Sequence, residues 1–197
     1  MKFTKIPTTT FQNLGMNAGV LLDDFNPDNP DPEFDEHIIG ATSGGMNFPG
    51  VPSFSDAGED IDNCPKNTLE LKRLDSWEVK ASGTMVTMKA ATAKRLIAAA
   101  DIDSANPNKI MPRLDLKDTD FEDIWIVGDY GDKTGDTKGG YVAIRIIKSL
   151  STGGFALQTS DKGKMKFAFE FTGHFSIKAQ TVVPFEIYIA AGEDEPA

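Results

Sequence analysis

The sequence predicts a mainly β protein, either a β-sandwich or a partly open barrel, with one flanking α-helix at about residues 90–100. Three features support this prediction. Apolar and polar residues alternate with a period of two in several segments, most clearly over residues 165–177. Segments rich in Gly and Asp separate these runs and are typical of hairpin loops. Only one segment combines strong helix formers with apolar residues at helical spacing.

Eight segments are predicted as strands from their alternation or their apolar content. They are residues 16–22, 38–42, 77–85, 124–127, 141–147, 155–158, 165–177 and 183–189. In the seventh, the residues assigned to the core face are Met165, Phe167, Phe169, Phe171, Gly173, Phe175 and Ile177. A straight strand of that length would span roughly 43 Å. We therefore expect a bend or bulge near Gly173, and Pro184 indicates an edge strand or a strand start.

The predicted helix covers residues 90–100, which are rich in Ala. Thr92 is the expected N-cap, because its hydroxyl can accept a hydrogen bond from a free amide of the first turn. Helical spacing places one apolar face on Ala93, Leu96, Ile97 and Ala100. A helix this short is expected to pack on a sheet.

The composition is that of an acidic globular domain, and we expect one domain spanning residues 1–197. The chain carries 20 Lys and Arg against 30 Asp and Glu, a formal net charge of −10. Affinity for phosphate backbones comes from clustered Lys and Arg, so this charge argues against a tight nucleic-acid binder. No apolar run approaches the ~18 residues of a membrane span. No apolar region follows the N-terminal lysines, so we expect neither a membrane association nor a signal peptide.

The acidic residues are clustered. Residues 23–37 hold seven carboxylates and three prolines without a Lys or Arg, and we interpret them as an exposed loop. Further clusters occupy residues 56–62 and 115–136, and residues 192–197 form an acidic tail. Clustered carboxylates can bind calcium, but the spacing of an EF-hand loop is absent.

No pattern of catalytic or metal-binding residues is recognisable, so we expect neither an enzyme nor a cofactor. His37 and His174 share no motif, and Cys64 has no neighbour that would make it a thiolate. The single cysteine also excludes an intramolecular disulfide and a cysteine-based zinc site. Two alternatives stay open: a monomeric β-sandwich module that binds carbohydrate or calcium, and a hydrolase with two carboxylates.

Several longer segments resemble one known family. They are residues 5–20 (KIPTTTFQNLGMNAGV), 39–45 (IGATSGG), 54–67 (FSDAGEDIDNCPKN), 76–80 (SWEVK) and 171–175 (FTGHF). The sequence resembles the major tail proteins, or tail tube proteins, of long-tailed non-contractile phages and prophages of Gram-positive bacteria. The resemblance runs from the N-terminal arm to the last predicted strand.

The resemblance implies a β-sandwich of the tail-tube type with a flanking helix and long arms. Six copies would form a ring, and stacked rings would form a hollow tube that carries DNA to the host. Implied partners are further copies of the chain, the tape measure protein, the tail terminator and the tail-tip (distal tail) proteins. The protein would be made in the host bacterial cytoplasm and end in the virion tail. An acidic lumen would repel phosphate and let DNA pass without specific binding.

Two segments are the candidates for contacts between rings, because they are polar, long and placed at element ends. One is the N-terminal arm, residues 1–15, and the other is the hairpin loop of residues 128–140. The candidate residues are Phe3, Thr8, Thr10, Phe11, Asp129, Tyr130, Asp132, Gly135 and Asp136.

Overall fold

The computed structural model describes residues 6–7, 9–30, 34–131 and 139–192. In these residues the fold is mainly β with one α-helix, as predicted, and all paired strands are antiparallel. The strands are β1 (Gly15–Leu22), β2 (Ile38–Gly40), β3 (Thr42–Asn47), β4 (Gly50–Asp56), β5 (Lys72–Met85), β6 (Ala100–Ile102), β7 (Ile110–Pro112), β8 (Glu122–Tyr130), β9 (Tyr141–Ser151), β10 (Ala156–Gln158), β11 (Lys166–Thr172) and β12 (Phe185–Ala190). The helix is α1 (Ala90–Ile97), and short 3-10 helices cover Phe11–Asn13, Phe34–His37, Leu69–Leu71 and Asp118–Asp120.

The strands form two layers of a sandwich that are joined through β9. One layer has the order β2-β1-β8-β9-β12, and the other contains β11, β5 and β3, with β10 beside β11 and β4 beside β5. The last residues of β9 pair with β11, so β9 passes from one layer to the other. The small β6–β7 hairpin stands apart from this sheet.

The main core lies between the two layers and under the helix. Alternation places every second residue of each strand on this inner face. Its fully or almost fully buried members are Leu21, Ile39, Val79, Ala81, Met85, Leu96, Ile124, Ile146, Phe167, Phe169 and Phe171. The core therefore draws on both sheets, as a sandwich requires.

A second cluster covers the outer face of the β1–β8–β9 layer. Leu22, Trp125 and Val127 are buried there beneath Phe25, which is only 8% exposed. The ring of Phe25 contacts those of Trp125 and Tyr141 edge to face, at centroid distances of 5.6 and 5.4 Å. Phe25 belongs to the acidic segment of residues 23–37. This segment is therefore not simply the exposed loop that we expected, because its aromatic side chain closes a second core.

Two further contacts hold the same segment. The Tyr141 hydroxyl donates a hydrogen bond of 2.6 Å to the carbonyl oxygen of Pro27. Asp23, at the start of the segment, lies 3.4 Å from the guanidinium of Arg95 and 3.0 Å from the ring of His37. Arg95 also donates to Glu122 at 2.7 Å, so α1, this segment and β8 share one network of charges.

The helix begins at Ala90 as predicted, but it ends earlier and has a different N-cap residue. It ends at Ile97 because Ala98 adopts a positive φ of 68°, and Ala100 already belongs to β6. Lys89 occupies the N-cap position, so the assignment of Thr92 as N-cap is wrong. Thr92 is instead buried inside the helix, where its hydroxyl donates to the Ile39 carbonyl at 2.7 Å. Ala93 and Leu96 are buried as the apolar face predicted.

The phenylalanine-rich strand is also shorter than its pattern. β11 ends at Thr172, directly before Gly173. A Cβ on Gly173 would lie 3.0 Å from the Ile146 side chain, so the backbone of this glycine packs directly on the core. Phe175 and Ile177 beyond it, and Met165 directly before β11, are exposed, so the assignment of these three residues to the core face is wrong.

Candidate assembly site

The ends of four neighbouring strands meet at one edge of the first layer. Gly15 of β1 pairs with Tyr130 of β8. Asp129 of β8 pairs with Tyr141 of β9, which in turn pairs with Ala190 of β12. The N-terminal arm, the root of the 128–140 loop and the C-terminal end of the sheet therefore lie side by side. We refer to this edge as the terminal edge.

The N-terminal arm is held on this edge by its backbone. The hydroxyl of Thr10 donates to the Pro7 carbonyl at 2.7 Å, which closes a turn before the 3-10 helix Phe11–Asn13. After that helix, the Gly131 amide donates to the Leu14 carbonyl at 2.8 Å. Gly131 has a φ of +82°, and a Cβ there would lie 2.8 Å from the Gln12 carbonyl oxygen. Only glycine fits this close approach without displacing the arm.

Side chains add to this contact. The Tyr130 hydroxyl lies 3.4 Å from the side-chain oxygen of Asn13. The side-chain amide of Asn17 donates a hydrogen bond to the carboxylate of Asp129. The structure thus brings together two predicted residues of the loop, Asp129 and Tyr130, and the predicted arm. Thr10 is half-buried within that arm, and Phe11 is 67% exposed.

The remaining candidates lie outside the described residues, as does most of the acidic tail. They are Phe3, Thr8, Asp132, Gly135 and Asp136.

The pairing of the arm is separate from the pairing of the core part of β1. Between Met16 and Val20 the register with β8 shifts, and Asn17 and Gly19 have φ values of 66° and 70°. The two residues before this irregularity belong to the terminal edge, whereas Leu21 and Leu22 are in the cores. The arm can therefore leave β8 without exposing either core.

Strand β12 forms one side of the terminal edge. In the described part of the chain it pairs with β9 alone, so its other side presents free backbone groups. Ile187 and Ile189 are 52% and 61% exposed. A free strand with exposed apolar side chains is a surface on which another strand can add.

Within the 115–136 cluster, Asp120, Glu122 and Asp123 form ion pairs with arginines. Arg113 contacts Asp120 at 2.6 Å, and Arg145 contacts Asp123 at 2.7 Å. Burial raises the pKa of Asp120, but hydrogen bonds from the Arg113 guanidinium and the Lys117 amide outweigh that effect and hold the pKa below its ordinary value. In the 56–62 cluster, the amides of Asn67 and Gly58 lower the pKa of the Asp56 carboxyl. These carboxylates therefore stabilise loops.

The residues considered for catalysis are not brought together. The His37 ring contacts Asp23, and the His174 ring donates a hydrogen bond from Nδ1 to the Lys148 carbonyl oxygen and packs on Phe121. Cys64 is half-buried beside Pro65 and Thr68. Over the described ranges, no three His, Cys, Asp or Glu side chains are grouped so that they could hold a metal ion.

A second exposed feature was not predicted. The sequence indicated a strand from Trp77, but β5 begins at Lys72 and extends with β4 beyond the sandwich. Phe54 and Leu74 are exposed on this extension. The alternation of Phe54 with Ser53 and Ser55 was the available signal, and Pro52 obscured it.

No family model matches this chain, and no curated protein matches it either. Among the residues that the structure describes, none of the helices is both long and apolar enough to cross a membrane.

Proposed function

We propose that this protein is a structural subunit that assembles with copies of itself into stacked hexameric rings. The rings would form the hollow tail tube of a long-tailed, non-contractile phage. The observation that carries the proposal is the terminal edge, where β12, a strand with one free side, ends in the same row of strands as the N-terminal arm on β1 and the root of the 128–140 loop on β8 and β9. Strand addition at β12 would bury Ile187 and Ile189 and cover a sheet edge that otherwise invites aggregation.

The arm supports the same proposal. A segment that is anchored by a few backbone contacts and separated from the core by an irregular register can be exchanged between copies at low cost. In the assembled tube, the arm and the 128–140 loop would contact the neighbouring ring.

The charge is compatible with a conduit for DNA. Each subunit carries a formal charge of −10, and a negatively charged wall repels phosphate. The proposed partners are further copies of the chain, the tape measure protein, the tail terminator and the tail-tip proteins. We place the protein in the virion tail after synthesis in the host bacterial cytoplasm.

Negative-stain electron microscopy with parallel light scattering tests this function. We expect rings or hollow tubes at high protein concentration. The double variant Ile187→Lys/Ile189→Lys should stay folded and monomeric, because two charges on β12 cannot be buried by a strand that adds to it. The control is Val182→Lys, at a residue that is 48% exposed but lies before β12, and it should assemble like the unmodified protein.

A monomer at every concentration that is stabilised against heat by calcium or a glycan would contradict the proposal. It would favour the binding-module alternative, since a ligand that binds only the folded state raises its stability.

A further inference from the structure

The extension formed by β4 and β5 is a two-stranded arm. β11 pairs with β5 only along the second half of β5, from Lys80 to Met85. Before Lys80, β5 pairs in the described residues with β4 alone, from Gly50↔Val79 to Asp56↔Lys72. We call residues 50–79 the hairpin arm.

One face of the hairpin arm is apolar and uncovered. Residues directly opposite each other in an antiparallel pair share a face, so Pro52 lies beside Trp77 and Phe54 beside Leu74. Trp77 marks the inner end of this face, where it packs on the core. Phe54 and Leu74 are 54% and 52% exposed.

The tip of the hairpin arm is acidic. Residues 56–75 hold six carboxylates and three cations. One cation is used within the arm, because Lys72 lies 5.8 Å from the Phe54 ring centre and donates to Asn67. Five of these carboxylates are exposed: Glu59, Asp60 and Asp62 in the turn, and Glu70 and Asp75 on the returning segment. No ion pair within the described ranges involves the three in the turn.

A surface of complementary composition is formed by the β10–β11 hairpin, residues 155–166, which we call the edge hairpin. Its turn carries Lys162 and Lys164 and is followed by Lys166 at the start of β11; the one acid is Asp161, and all four residues are exposed. Its exposed apolar residues are Phe155 (45%), Leu157 (49%) and Met165 (53%). β10 pairs in the described chain with β11 only, so this surface also includes a strand edge.

The two surfaces lie at opposite ends of β5. The hairpin arm reaches its tip at Lys72, whereas Met85 pairs with Phe167 at the base of the edge hairpin. The thirteen residue steps between Lys72 and Met85 correspond to about 43 Å of straight strand. One chain cannot bring its own two surfaces together over this distance, so a second copy has to supply the partner.

We propose that the apolar face of the hairpin arm docks on the edge hairpin of a second copy, with the acidic tip against the lysines. The contact joins two different surfaces, so it is heterologous and repeats from copy to copy, closing a ring or extending a stack. This inference rests on the proposed self-assembly and names the two surfaces that perform it, neither of which belongs to the terminal edge.

Charge exchange tests the contact. In the arm variant Glu59→Lys, Asp60→Lys and Asp62→Lys are combined, and in the hairpin variant Lys162→Glu and Lys164→Glu are combined. Each variant alone faces like charge against like charge, and we expect its assembly in a pelleting assay to fall at least about tenfold. An equimolar mixture should assemble nearly as well as the unmodified protein, because both arm–hairpin pairs are then of opposite charge.

The matched control is Lys178→Glu, which changes an exposed lysine outside the edge hairpin and should leave assembly unchanged. Circular dichroism on each variant checks that it is folded. The inference would be overturned if either variant assembled normally on its own. It would also be overturned if the mixture of the two folded variants failed to recover assembly.

A pairwise measurement separates this inference from the proposed function. The hairpin variant is immobilised on a sensor, and binding of the soluble arm variant is measured by bio-layer interferometry. If the two variants bind each other but form no rings or tubes, the arm–hairpin contact is supported and the proposed tube is contradicted. Rings formed by each variant alone would retain the tube and contradict the contact.

Discussion

Trp77 and Phe185 pack edge to face, with their ring centres 5.4 Å apart and their planes inclined by 63°. This pair joins the hairpin arm to β12, the exposed strand of the terminal edge. Two of the three apolar surfaces considered for assembly, β12 and the hairpin arm, therefore begin at one contact. Phe48 packs on the same Phe185 ring at 5.6 Å.

The first prediction concerns this contact. Trp77→Ala should lower the free energy of unfolding by about 3 kcal/mol, because it removes a large side chain packed on the core. Leu74→Ala, on the same face but half exposed, should change it by less than about 1 kcal/mol. Urea denaturation of both variants measures the difference. Equal losses would mean that the outer part of the arm is as well packed as its base.

A second prediction concerns the docking of the N-terminal arm. Gly131→Ala should accelerate hydrogen exchange in residues 9–16, because the added methyl group meets the Gln12 carbonyl oxygen. Gly154→Ala is the matched control, since Gly154 also has a positive φ, +69°, but has open space around its Cβ position. The control should cost only the conformational penalty of about 1–2 kcal/mol. If the arm exchanges equally slowly in both variants, the close approach does not hold it.

The third prediction tests the cover of the second core. Phe25→Ala should destabilise the fold by about 3 kcal/mol, since it empties the space above Trp125 and Tyr141. Phe11→Ala removes an equally large side chain that is 67% exposed and should cost less than about 1 kcal/mol. Thermal unfolding compares the two. A small effect of Phe25→Ala would support the original interpretation of an exposed loop.

A fourth prediction concerns acid stability. The folded-state pKa of Asp120 lies below its unfolded value of about 3.9, so its contribution is present above that pH and is lost as the pH falls through the folded pKa. Asp120→Asn should therefore reduce stability at pH 7 and flatten its decline between about pH 5 and pH 2. Arg113→Met, which removes the partner cation, should flatten the same decline. Urea titrations over this range provide the measurement. An unchanged slope in Asp120→Asn would show that other carboxylates govern acid unfolding.

Local patterns account for what could be predicted of the fold. The alternation over residues 165–177 correctly indicated the buried Phe167, Phe169 and Phe171, because a strand presents every second side chain to one face regardless of its partners. The pattern continued past Gly173, but the strand ends at Thr172. At that point β9 places the Ile146 side chain against the Gly173 backbone, a contact between distant segments that the local pattern does not contain.

The candidate site was predictable only in part. The sequence indicated the N-terminal arm and the 128–140 loop as separate polar segments, and the Gly131–Leu14 hydrogen bond shows that they are neighbours. The hairpin arm escaped prediction because its register includes an irregularity between Ser53 and Phe54 and a proline, which interrupt the alternation.

By itself the sequence determined the mainly β class, the place of the single predicted helix and the burial of the phenylalanine side chains in β11 and of the apolar side chains on the inner face of that helix. These depend on spacing within one segment and on the transfer of apolar groups from water. The tertiary structure decided which segments meet. Residues 23–37 contain no Lys or Arg, yet their Asp23 contacts Arg95, which lies 72 residues away in the chain. Such pairing depends on the order of strands in the sheet, and that order is set by packing among residues distant in the chain.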